Sequence, residues 1–423
     1  MTSLQPLPWA EPLELAHQIA DDYWALLYSG CRTSYSGRYS LLAYGLEEKI
    51  VSDNFNEFSA KLSNNKPWHE NLWLGYLGYE LKHCNERLPH DEPPPISLPA
   101  LHMMRFRNIL RFDHEQRTIE CYGSLPTYGA VTVTHATPRV SELHSNMSSA
   151  QYRQHVQTIL DHIHAGDLYQ ANLTRKFFGS FTETPEPFAL FASLCTISPA
   201  PYSAYLRLGD TAILSSSPEL FLSIDHAGNM RARPIKGTSA RNADPAKDAA
   251  SRSALANSDK DKAENLMIVD LMRNDLSRSC IPGSVQTHEL FEVTSHANVH
   301  HMSSTITGQR RADCPSIEAV RHCFPPGSMT GAPKIRAMTL CSALEKQCRG
   351  PYAGAIGYFD GTGACELSVV IRTLILRGRR FEFQVGGAIV ADSDPQAEQQ
   401  ETFDKASGVL TALGIPVGYL KSL

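Results

Sequence analysis

The sequence lacks an excess of positive charge. Its 423 residues carry a formal net charge of −5, with 39 lysines and arginines against 44 aspartates and glutamates. A mildly acidic chain is poorly suited to the phosphate backbone of nucleic acid or to an anionic membrane surface. The charge balance therefore predicts that neither nucleic acid nor a membrane is a partner.

Long apolar runs are also missing, and no stretch of the sequence is long enough to span a bilayer. The opening Met1-Thr2-Ser3-Leu4-Gln5-Pro6 has no basic lead and no apolar block after it, both of which a secretory signal would have. Hydrophobic residues make up 42% and charged residues 20% of the chain, which is typical of a globular protein. We expect a cytoplasmic protein.

The ten cysteines form no Cys-x-x-Cys pair, and their spacings are irregular. This pattern argues against a zinc ribbon and against a thioredoxin-type redox site. The ordinary interpretation for a chain of this length is a set of buried, reduced thiols.

A polar, irregular stretch at residues 134–148 suggests a boundary within the chain. We place an N-terminal region at residues 1–145 and a second region at residues 146–423. The N-terminal region reads as mixed strand and loop. We expect it to add edge strands to the sheets of the second region, so that the two pack as one compact unit.

Hydrophobic periodicity predicts three helices in the second region. The first begins near Ser148 or Ser149 and ends near His164. The second covers residues 259–273, and its apolar residues surround most of its circumference, which predicts a helix buried on all sides. The third begins after Asp394, close to the end of the sequence.

Apolar and β-branched runs separated by turn residues predict several strands. They cover residues 169–178, 202–208, 212–216, 220–224, 230–234, 353–359, 365–376 and 381–390. Strands and helices that come in blocks, with hairpin turns between strands, indicate an α+β fold of antiparallel sheets and not a doubly wound one.

Two carboxylates fall on one face of the last predicted helix. Asp394 suits its N-cap and Pro395 its first turn, which places Glu398 and Glu401 three residues apart. Carboxylates this close repel each other unless something positive lies between them. Lys405 on the same face or a bound Mg²⁺ could fill that role, and a solvated surface is the ordinary alternative.

A third carboxylate lies inside the helix predicted to be buried. An ionised Glu264 there would be costly unless it were paired or bound to a metal. Lys260, one turn earlier, is an ordinary partner for it. Asp270 raises the same question, and Arg273 at helical spacing answers it.

Lys236 lies in the run Arg233-Pro234-Ile235-Lys236-Gly237-Thr238, directly after a predicted strand. A lysine beside a glycine is usually a solvated turn residue. Arg372 is harder to explain in this way, because it stands in the apolar run 369–376. A guanidinium in such a run needs a carboxylate from the chain or from a substrate, which it can bind through two hydrogen bonds.

Two glycine-containing runs would expose backbone N–H groups to an anion. Residues 327–334 open a helix but do not form a Walker motif, and Gly386-Gly387 ends a strand. These features describe a pocket for carboxylates and a divalent cation. His301, in an apolar stretch, is ordinarily a core histidine, and Glu219 before a strand is ambiguous alone.

These runs together resemble the chorismate-utilising enzymes, a family that includes anthranilate, aminodeoxychorismate, isochorismate and salicylate synthases. The matches come in the family's order and cover the chain from about residue 169 onward, with looser matches at residues 26–30 and 75–80. The main runs are Ser217-Pro218-Glu219, Pro234-Ile235-Lys236-Gly237-Thr238, residues 264–275, His300-His301-Met302-Ser303-Ser304, residues 327–334, 354–358, Ile371-Arg372-Thr373 and 386–405.

Lysine at position 236 discriminates between branches of this family. Anthranilate synthases typically carry alanine there, whereas lysine resembles the component I branch of the aminodeoxychorismate synthases. That resemblance implies amination of chorismate at C4 with ammonia, to give 4-amino-4-deoxychorismate for 4-aminobenzoate and folate synthesis. Lys236 would attack C2 as the C4 hydroxyl leaves, and ammonia would then attack C4 and expel Lys236.

The resemblance also implies the other roles. Mg²⁺ would be held by Glu264, Glu398 and Glu401, and proton transfer would involve Glu219, Glu264 and His301. The residues that would bind substrate are Arg372, Tyr358, Thr330, Gly331, Lys334, Gly386, Gly387 and Thr238. Ala388 departs from the glycine that the family often has, but it keeps its backbone N–H.

Two partners follow from the same resemblance. A glutamine amidotransferase subunit would supply the ammonia, and added ammonium would replace it in vitro. Some relatives bind tryptophan in the N-terminal region, at a site that Ser29, Pro201, Tyr202 and Ser203 match approximately.

The rival functions are anthranilate synthase component I, which converts chorismate to anthranilate and pyruvate, and a non-catalytic subunit that binds chorismate or tryptophan. The first predicts full activity after Lys236→Ala. The second would require loss of the acidic or lysine positions, all of which are present. A pure scaffold for the amidotransferase would gain nothing from buried charges.

Overall fold

A computed structural model describes residues 7–33, 35–62, 65–126, 139–296 and 299–422. The opening Met1 to Pro6 and the first part of the predicted boundary at residues 134–148 lie outside the described residues.

Nine α-helices form within these ranges. They are α1 (Pro12–Ala16), α2 (Asn56–Lys61), α3 (Ser149–His164), α4 (Pro187–Ile197), α5 (Pro245–Ala256), α6 (Asp259–Ser277), α7 (Ser316–Cys323), α8 (Lys334–Glu345) and α9 (Pro395–Ala412). Short 3₁₀ helices cover Trp68–Asn71, Tyr79–Cys84, Gly327–Met329 and Val417–Ser422.

The described chain also forms nineteen strands. They are β1 (Tyr23–Tyr28), β2 (Tyr39–Ser52), β3 (Trp73–Leu77), β4 (Leu101–Asp113), β5 (Thr118–Tyr122), β6 (Val140–Ser145), β7 (Gln170–Phe181), β8 (Tyr202–Leu208), β9 (Thr211–Ser217), β10 (Leu220–Ile224), β11 (Asn229–Arg233), β12 (Ile235–Ala240), β13 (Gln286–Ser295), β14 (Val299–Gln309), β15 (Gly331–Ala332), β16 (Ala355–Phe359), β17 (Cys365–Val369), β18 (Thr373–Arg377) and β19 (Arg380–Ile389).

The strands form two antiparallel layers. The first runs in the order β6, β7, β19, β18, β9, β8, β1, β2. The second runs β4, β3, β16, β17, β10, β11, β14, with β12 and β13 also paired to β14. The long strands β2 and β4 pair with each other and join the layers. The predicted α+β fold with two layered antiparallel sheets is confirmed.

Alternation of side chains along the strands builds the core between the layers. In β1, Ala25 belongs to an apolar cluster that also contains Leu74 of β3, whereas its neighbour Leu26 packs with Phe403 of α9. On the outer face of the second layer, Trp73 of β3 belongs to the same cluster as the apolar face of α6. Each layer therefore has one face on the other layer and one face on helices.

Strands of the N-terminal region lie inside both layers. β1 lies between β2 and β8, and β3 lies between β4 and β16. These two strands are therefore interior strands and not the edge strands that we expected, and the described part of residues 1–145 shares backbone hydrogen bonds with the rest of the chain. None of the helices in the described ranges is long and apolar enough to cross a membrane.

Several predicted elements are confirmed because their local signals are strong. Helix α3 begins with a capping box in which Ser148 accepts from the backbone N–H of Gln151 and the Gln151 side chain accepts from Ser148. Asp394 caps α9 through the backbone N–H groups of Gln396 and Ala397. Strands β8 and β10 have the predicted bounds.

Two predictions about elements are wrong. Helix α6 is not buried on all sides, because Leu266 is 44% exposed and Ala263 is also exposed. Its inner face consists of Asn265, Ile268, Val269, Met272, Asp275 and Leu276. The predicted strand 365–376 is two strands, since β17 ends at Val369 and β18 begins at Thr373.

A buried ion pair joins β7 to β19. The Lys176 Nζ lies 3.1 Å from Glu382 Oε1, and both side chains are 2% exposed. Nζ also donates to the carbonyl oxygen of Cys348, and the other oxygen of Glu382 accepts from the backbone N–H of Ile96. We expect Glu382→Leu to lower the free energy of unfolding by about 3–5 kcal/mol, because it leaves a buried ammonium without its charge partner. Chemical denaturation measures this.

The matched control is the double variant Lys176→Met, Glu382→Leu. Replacing both charges should recover most of the lost stability. A double variant as unstable as the single one would contradict the assignment of the loss to the unpaired lysine.

Candidate active site

A cavity of about 690 Å³ opens among β12, β14, α6, β19 and α9. Its volume is in the range of small-molecule sites. The predicted site residues that line it are Glu219, Lys236, Thr238, Glu264, His301, Arg372, Gly386, Glu398 and Glu401. The structure thus brings together residues that are up to 182 positions apart in the sequence.

Lys236 reaches the cavity through a β-bulge in β12. Ile235 pairs with Ser303 and Thr238 pairs with His301, so one extra residue lies on the β12 side. Bulges re-aim side chains in this way. Gly237 has φ +84°, and a Cβ there would lie 3.0 Å from Asp261 of α6, so glycine allows the helix to approach the bulge.

The charge of Lys236 is not neutralised by a direct partner. Among the described residues, none forms a hydrogen bond or an ion pair with its Nζ. Burial lowers the pKa of Lys236, and the nearby carboxylate of Glu264 opposes that change. The side chain is only partly buried by exposed area, because it faces the cavity.

Glu219 lies immediately before β10 and is 5% exposed. Its backbone is fixed on both sides: its N–H donates to Ser217 Oγ, and its carbonyl accepts from the N–H of Val369. Burial raises the pKa of Glu219, although a hydrogen bond from Ser328 acts in the opposite direction. The carboxyl is therefore easier to protonate than a free one, which suits proton transfer.

Glu264 lies on the cavity side of α6. It forms an ion pair with Lys260, with the two charged atoms 4.0 Å apart. Burial raises the pKa of Glu264, and Lys236 opposes the change. The predicted pairing of Asp270 with Arg273 is confirmed at 3.2 Å on the exposed side of the helix.

His301 is buried in β14 and faces Thr238 of the neighbouring strand. Its Nδ1 lies 2.9 Å from Thr238 Oγ1. Burial lowers the pKa of His301 well below its ordinary value, and Arg372 lowers it further. The imidazole is therefore neutral at physiological pH. It lines the cavity, so it is not only a residue of the core.

Arg372 explains why the predicted strand is broken. Its φ is +50°, a left-handed conformation that a strand cannot contain. Burial lowers the pKa of Arg372, while Glu219 opposes the change. Its guanidinium forms no hydrogen bond or ion pair with the described part of the chain, and it faces the cavity. Backbone strain of this kind is typical of functional sites.

Glu398 and Glu401 differ in their surroundings although they lie one turn apart on α9. Ser393 donates to Glu398 Oε1 at 2.6 Å, while Glu398 Oε2 is buried without a partner among the described residues. Burial raises the pKa of Glu398. Burial acts in the same direction on Glu401, but Lys405, 2.6 Å away, outweighs it and the pKa of Glu401 is lowered.

Glu264, Glu398 and Glu401 do not form a complete magnesium site by themselves, but they fit one that water and substrate complete. Within the described ranges, no group of three or more His, Cys, Asp or Glu side chains converges closely enough to hold a metal. Mg²⁺, however, usually takes one or two carboxylates and completes its six oxygens with water and substrate. The partnerless Glu398 Oε2 provides an oxygen for such an ion.

Several predicted substrate ligands lie away from the cavity wall. Tyr358 packs beside the apolar cluster between the two layers. Lys334 uses its ammonium on Asp275 at 2.6 Å and on the carbonyls of Cys323 and Pro325, so it holds a turn. Thr330 donates its hydroxyl to the carbonyl of Gly327.

The two remaining glycines also lie outside the wall. Gly331 pairs with Ala171 of β7. Gly387 lies behind the wall beside Glu398 and Glu401.

Tyr352 is a cavity residue that the sequence did not reveal. It lies in the turn before β16 and lines the cavity with Arg372. Tyr352 and Tyr358 lie in the same glycine-rich stretch of sequence. Tyr352 precedes strand β16, whereas Tyr358 lies within it. The strand was predicted to begin at residue 353 and begins at Ala355.

The residues predicted for tryptophan lie close to one another. Tyr28 pairs with Ser203, and the N–H of Gly30 donates to the carbonyl of Ala200, which places Ser29 beside this segment. Pro201 lines the large cavity. Occupation by tryptophan stays a prediction.

Comparison with known proteins gives one consistent result. The family profile described as chorismate binding enzyme matches residues 25–411. The chain belongs to this chorismate-binding enzyme family. The match spans the strands of both layers and all the residues that line the cavity.

Two curated relatives and one solved structure show how near the match is. Aminodeoxychorismate synthase of Streptomyces griseus is 41% identical over 361 residues, covering 81% of this chain and 50% of that protein. Aminodeoxychorismate synthase component 1 of Escherichia coli (strain K12) is 40% identical over 352 residues, covering 80% and 76%. Anthranilate synthase component I from Streptococcus pneumoniae TIGR4 has a TM-score of 0.78 at 27% identity, covering 89% and 93%. The chain thus spans half of the Streptomyces relative.

Lys236 should lose its proton at a lower pH than an ordinary lysine, whose pKa is about 10.4. Competitive labelling with a trace of acetic anhydride, followed by peptide mass analysis across pH, measures the midpoint for Lys236. We expect that midpoint below the ordinary value, since burial disfavours the ammonium form. The exposed Lys247 in the same sample serves as the reference. A midpoint for Lys236 at or above that of Lys247 would contradict the prediction.

Proposed function

We propose that this chain aminates chorismate at C4 with ammonia and releases 4-amino-4-deoxychorismate, the precursor of 4-aminobenzoate in folate synthesis. The observation that carries the proposal is Lys236, which faces the cavity without a direct charge partner and has a lowered pKa. The aminodeoxychorismate synthases among its relatives support the same reaction.

The cavity provides groups that suit the two carboxylates of chorismate. The unpaired guanidinium of Arg372 can bind one carboxylate through two parallel hydrogen bonds. Tyr352 lines the cavity with Arg372 and can donate its hydroxyl to the same group. On the opposite wall, Gly386 brings the backbone of β19 to the cavity surface.

Lys236 acts as the nucleophile in two successive displacements. In the first, Nζ bonds to C2, the ring double bonds shift, and the bond from C4 to its hydroxyl breaks. In the second, ammonia bonds to C4, the double bonds shift back, and Nζ leaves C2. Splitting the substitution into two steps is the general advantage of covalent catalysis. The lowered pKa of Lys236 increases the fraction of the neutral, nucleophilic amine.

Glu219 is placed to transfer the protons that these steps require. Since its pKa is raised, it can carry a proton to the departing hydroxyl and then accept one from the attacking ammonia. His301 is neutral and bonded to Thr238, so it positions β12 next to the bulge that carries Lys236. Glu264 provides a negative charge opposite Lys236.

Glu264, Glu398 and Glu401 are the residues that would hold Mg²⁺. When bound, the ion would offset the charge of the ring carboxylate and so favour departure of the C4 hydroxyl. Ser393 keeps Glu398 oriented through its 2.6 Å hydrogen bond, and Lys405 does the same for Glu401.

A second subunit follows from the names of the relatives. The Escherichia coli protein is called component 1, and the Streptomyces griseus protein is about twice as long as the matched part. We propose that a glutamine amidotransferase supplies ammonia to this chain.

We also propose that tryptophan binds near Ser29, Pro201, Tyr202 and Ser203.

Product analysis tests the proposal. The purified chain is incubated with chorismate, Mg²⁺ and ammonium at mildly alkaline pH, and products are separated by chromatography with mass detection. We expect 4-amino-4-deoxychorismate from the wild type and at least a 100-fold lower rate from Lys236→Ala, because the nucleophile is lost. Lys247→Ala, at an exposed lysine, is the control. Anthranilate as the main product, with Lys236→Ala fully active, would instead assign the sister reaction.

Arg372→Lys tests the carboxylate site. Lysine keeps the charge but loses the two-pronged donor, so the KM for chorismate should rise by about tenfold or more. Initial rates at saturating ammonium measure this, with circular dichroism as the check on folding. An unchanged KM would show that Arg372 does not bind substrate.

A further inference from the structure

Two buried polar atoms behind the cavity wall have no hydrogen-bond partner in the described chain. One is the Tyr152 hydroxyl, in the first turn of α3, and the other is Glu398 Oε2 on α9. Tyr152 is 0% exposed and belongs to the apolar cluster under α3. An unpaired buried hydroxyl is destabilising, so each case in a native protein calls for an explanation.

The two atoms flank the same space beside Gly387. A Cβ on that glycine would lie 3.0 Å from Glu398 Oε2, 3.8 Å from the Tyr152 hydroxyl and 3.8 Å from Glu401 Oε1. The hydroxyl and Glu398 Oε2 do not bond to each other directly. Both lie within 4 Å of that one point, so a single water molecule between them would be within hydrogen-bonding distance of both.

The packing of the tyrosine ring does not require its hydroxyl. The ring packs below the Arg175 guanidinium, whose carbon lies 5.8 Å from the ring centre, and a phenylalanine ring would pack in the same way. The hydroxyl instead adjoins Glu398 and Glu401, which both act on its ionisation. The nearest functional groups are therefore the carboxylates assigned to the cation.

We infer that Tyr152 is a positioning residue for the divalent-cation site, donating through one ordered water to Glu398 Oε2. The inference rests on the proposed function, because it requires that the carboxylates hold a cation. An outer hydrogen bond of this kind fixes the orientation of a ligating carboxylate, and its loss typically costs 10- to 100-fold in metal affinity.

Tyr152→Phe is the sharpest test, since it removes one oxygen atom and keeps the buried ring. Isothermal titration with MgCl₂ in the absence of chorismate measures the dissociation constant without turnover. We expect binding about 10-fold weaker or more than in the wild type. Wild-type affinity in Tyr152→Phe would overturn the inference.

Tyr76→Phe is the matched control. Tyr76 is equally buried, and its hydroxyl donates to the carbonyl of Pro99 at 2.8 Å, away from the cavity wall. It should lose some thermal stability and keep its Mg²⁺ affinity. An equal loss of affinity in both variants would mean a general structural effect and would overturn the inference.

Gly387→Ala addresses the same space from the opposite side. Its methyl group would lie 3.0 Å from Glu398 Oε2 and would crowd both that carboxylate and the proposed water, so it should also weaken Mg²⁺ binding. Because both changes remove the same water, the double variant with Tyr152→Phe should bind no more weakly than Gly387→Ala alone. Fully additive losses would contradict a shared water.

The two proposals fail differently. A chain that binds Mg²⁺ with the expected Tyr152→Phe effect but forms no aminated product would end the proposed function and leave the positioning role intact. A chain that forms 4-amino-4-deoxychorismate but binds no Mg²⁺ in the titration would overturn the positioning role.

Discussion

The cost of holding charged groups away from water governs this site. Lys236 and Arg372 both face the cavity without a direct partner, and burial lowers the pKa of each. Burial raises the pKa of Glu219 and Glu264 for the same reason. Burial in the cavity therefore acts against the charged forms of both the amine and the carboxyl groups, a pattern that is typical of active sites. The reactivity of the site therefore depends on the burial of several ionisable groups together and not on one residue alone.

Such a cavity needs a rigid wall, and the fold provides it through the N-terminal region. Glu80 accepts the backbone N–H groups of Arg349 and Gly350 at 2.8 and 2.9 Å, two residues before Tyr352. The Arg349 guanidinium in turn donates to the carbonyl of Met329 at 2.8 Å. Tyr352 and Met329 both line the cavity. The first region thus fixes part of the wall from behind, although none of its described residues lines the cavity itself.

Local signals were sufficient for helices α3 and α9 and for several of the strands. Ser148, Asp394 and the alternating strands obey short-range rules, so α3, α9, β8 and β10 could be predicted. Glu264 and Arg372 could be identified as candidate site residues because each is a charged residue in an apolar stretch of sequence. Long-range packing decided the rest. The exposed side of α6 depends on what covers it, and the sequence does not contain that information.

Near the site, the structure departs from local sequence preference for a physical reason. Arg372 adopts a left-handed backbone inside a run with high strand propensity, so propensity alone predicts a continuous strand. Tyr352 and Tyr358 differ in location because one precedes β16 and the other lies within it. Lys334 resembles an anion ligand from its position near a helix start, but Asp275 takes its charge. At the site, backbone conformations and side-chain partners differ from those that local sequence favours, and tertiary contacts stabilise them.

The sum of the formal charges around the cavity also favours a divalent cation. Six acidic residues line it, namely Glu219, Asp261, Glu264, Glu398, Glu401 and Asp404, against the four basic residues Lys236, Lys260, Arg372 and Lys405. The wall is therefore formally acidic, and a dicarboxylate substrate would add two further negative charges. Deprotonation of Lys236 for nucleophilic attack would increase the imbalance. A divalent cation would offset the charge that the substrate brings, so it should enter before chorismate or together with it.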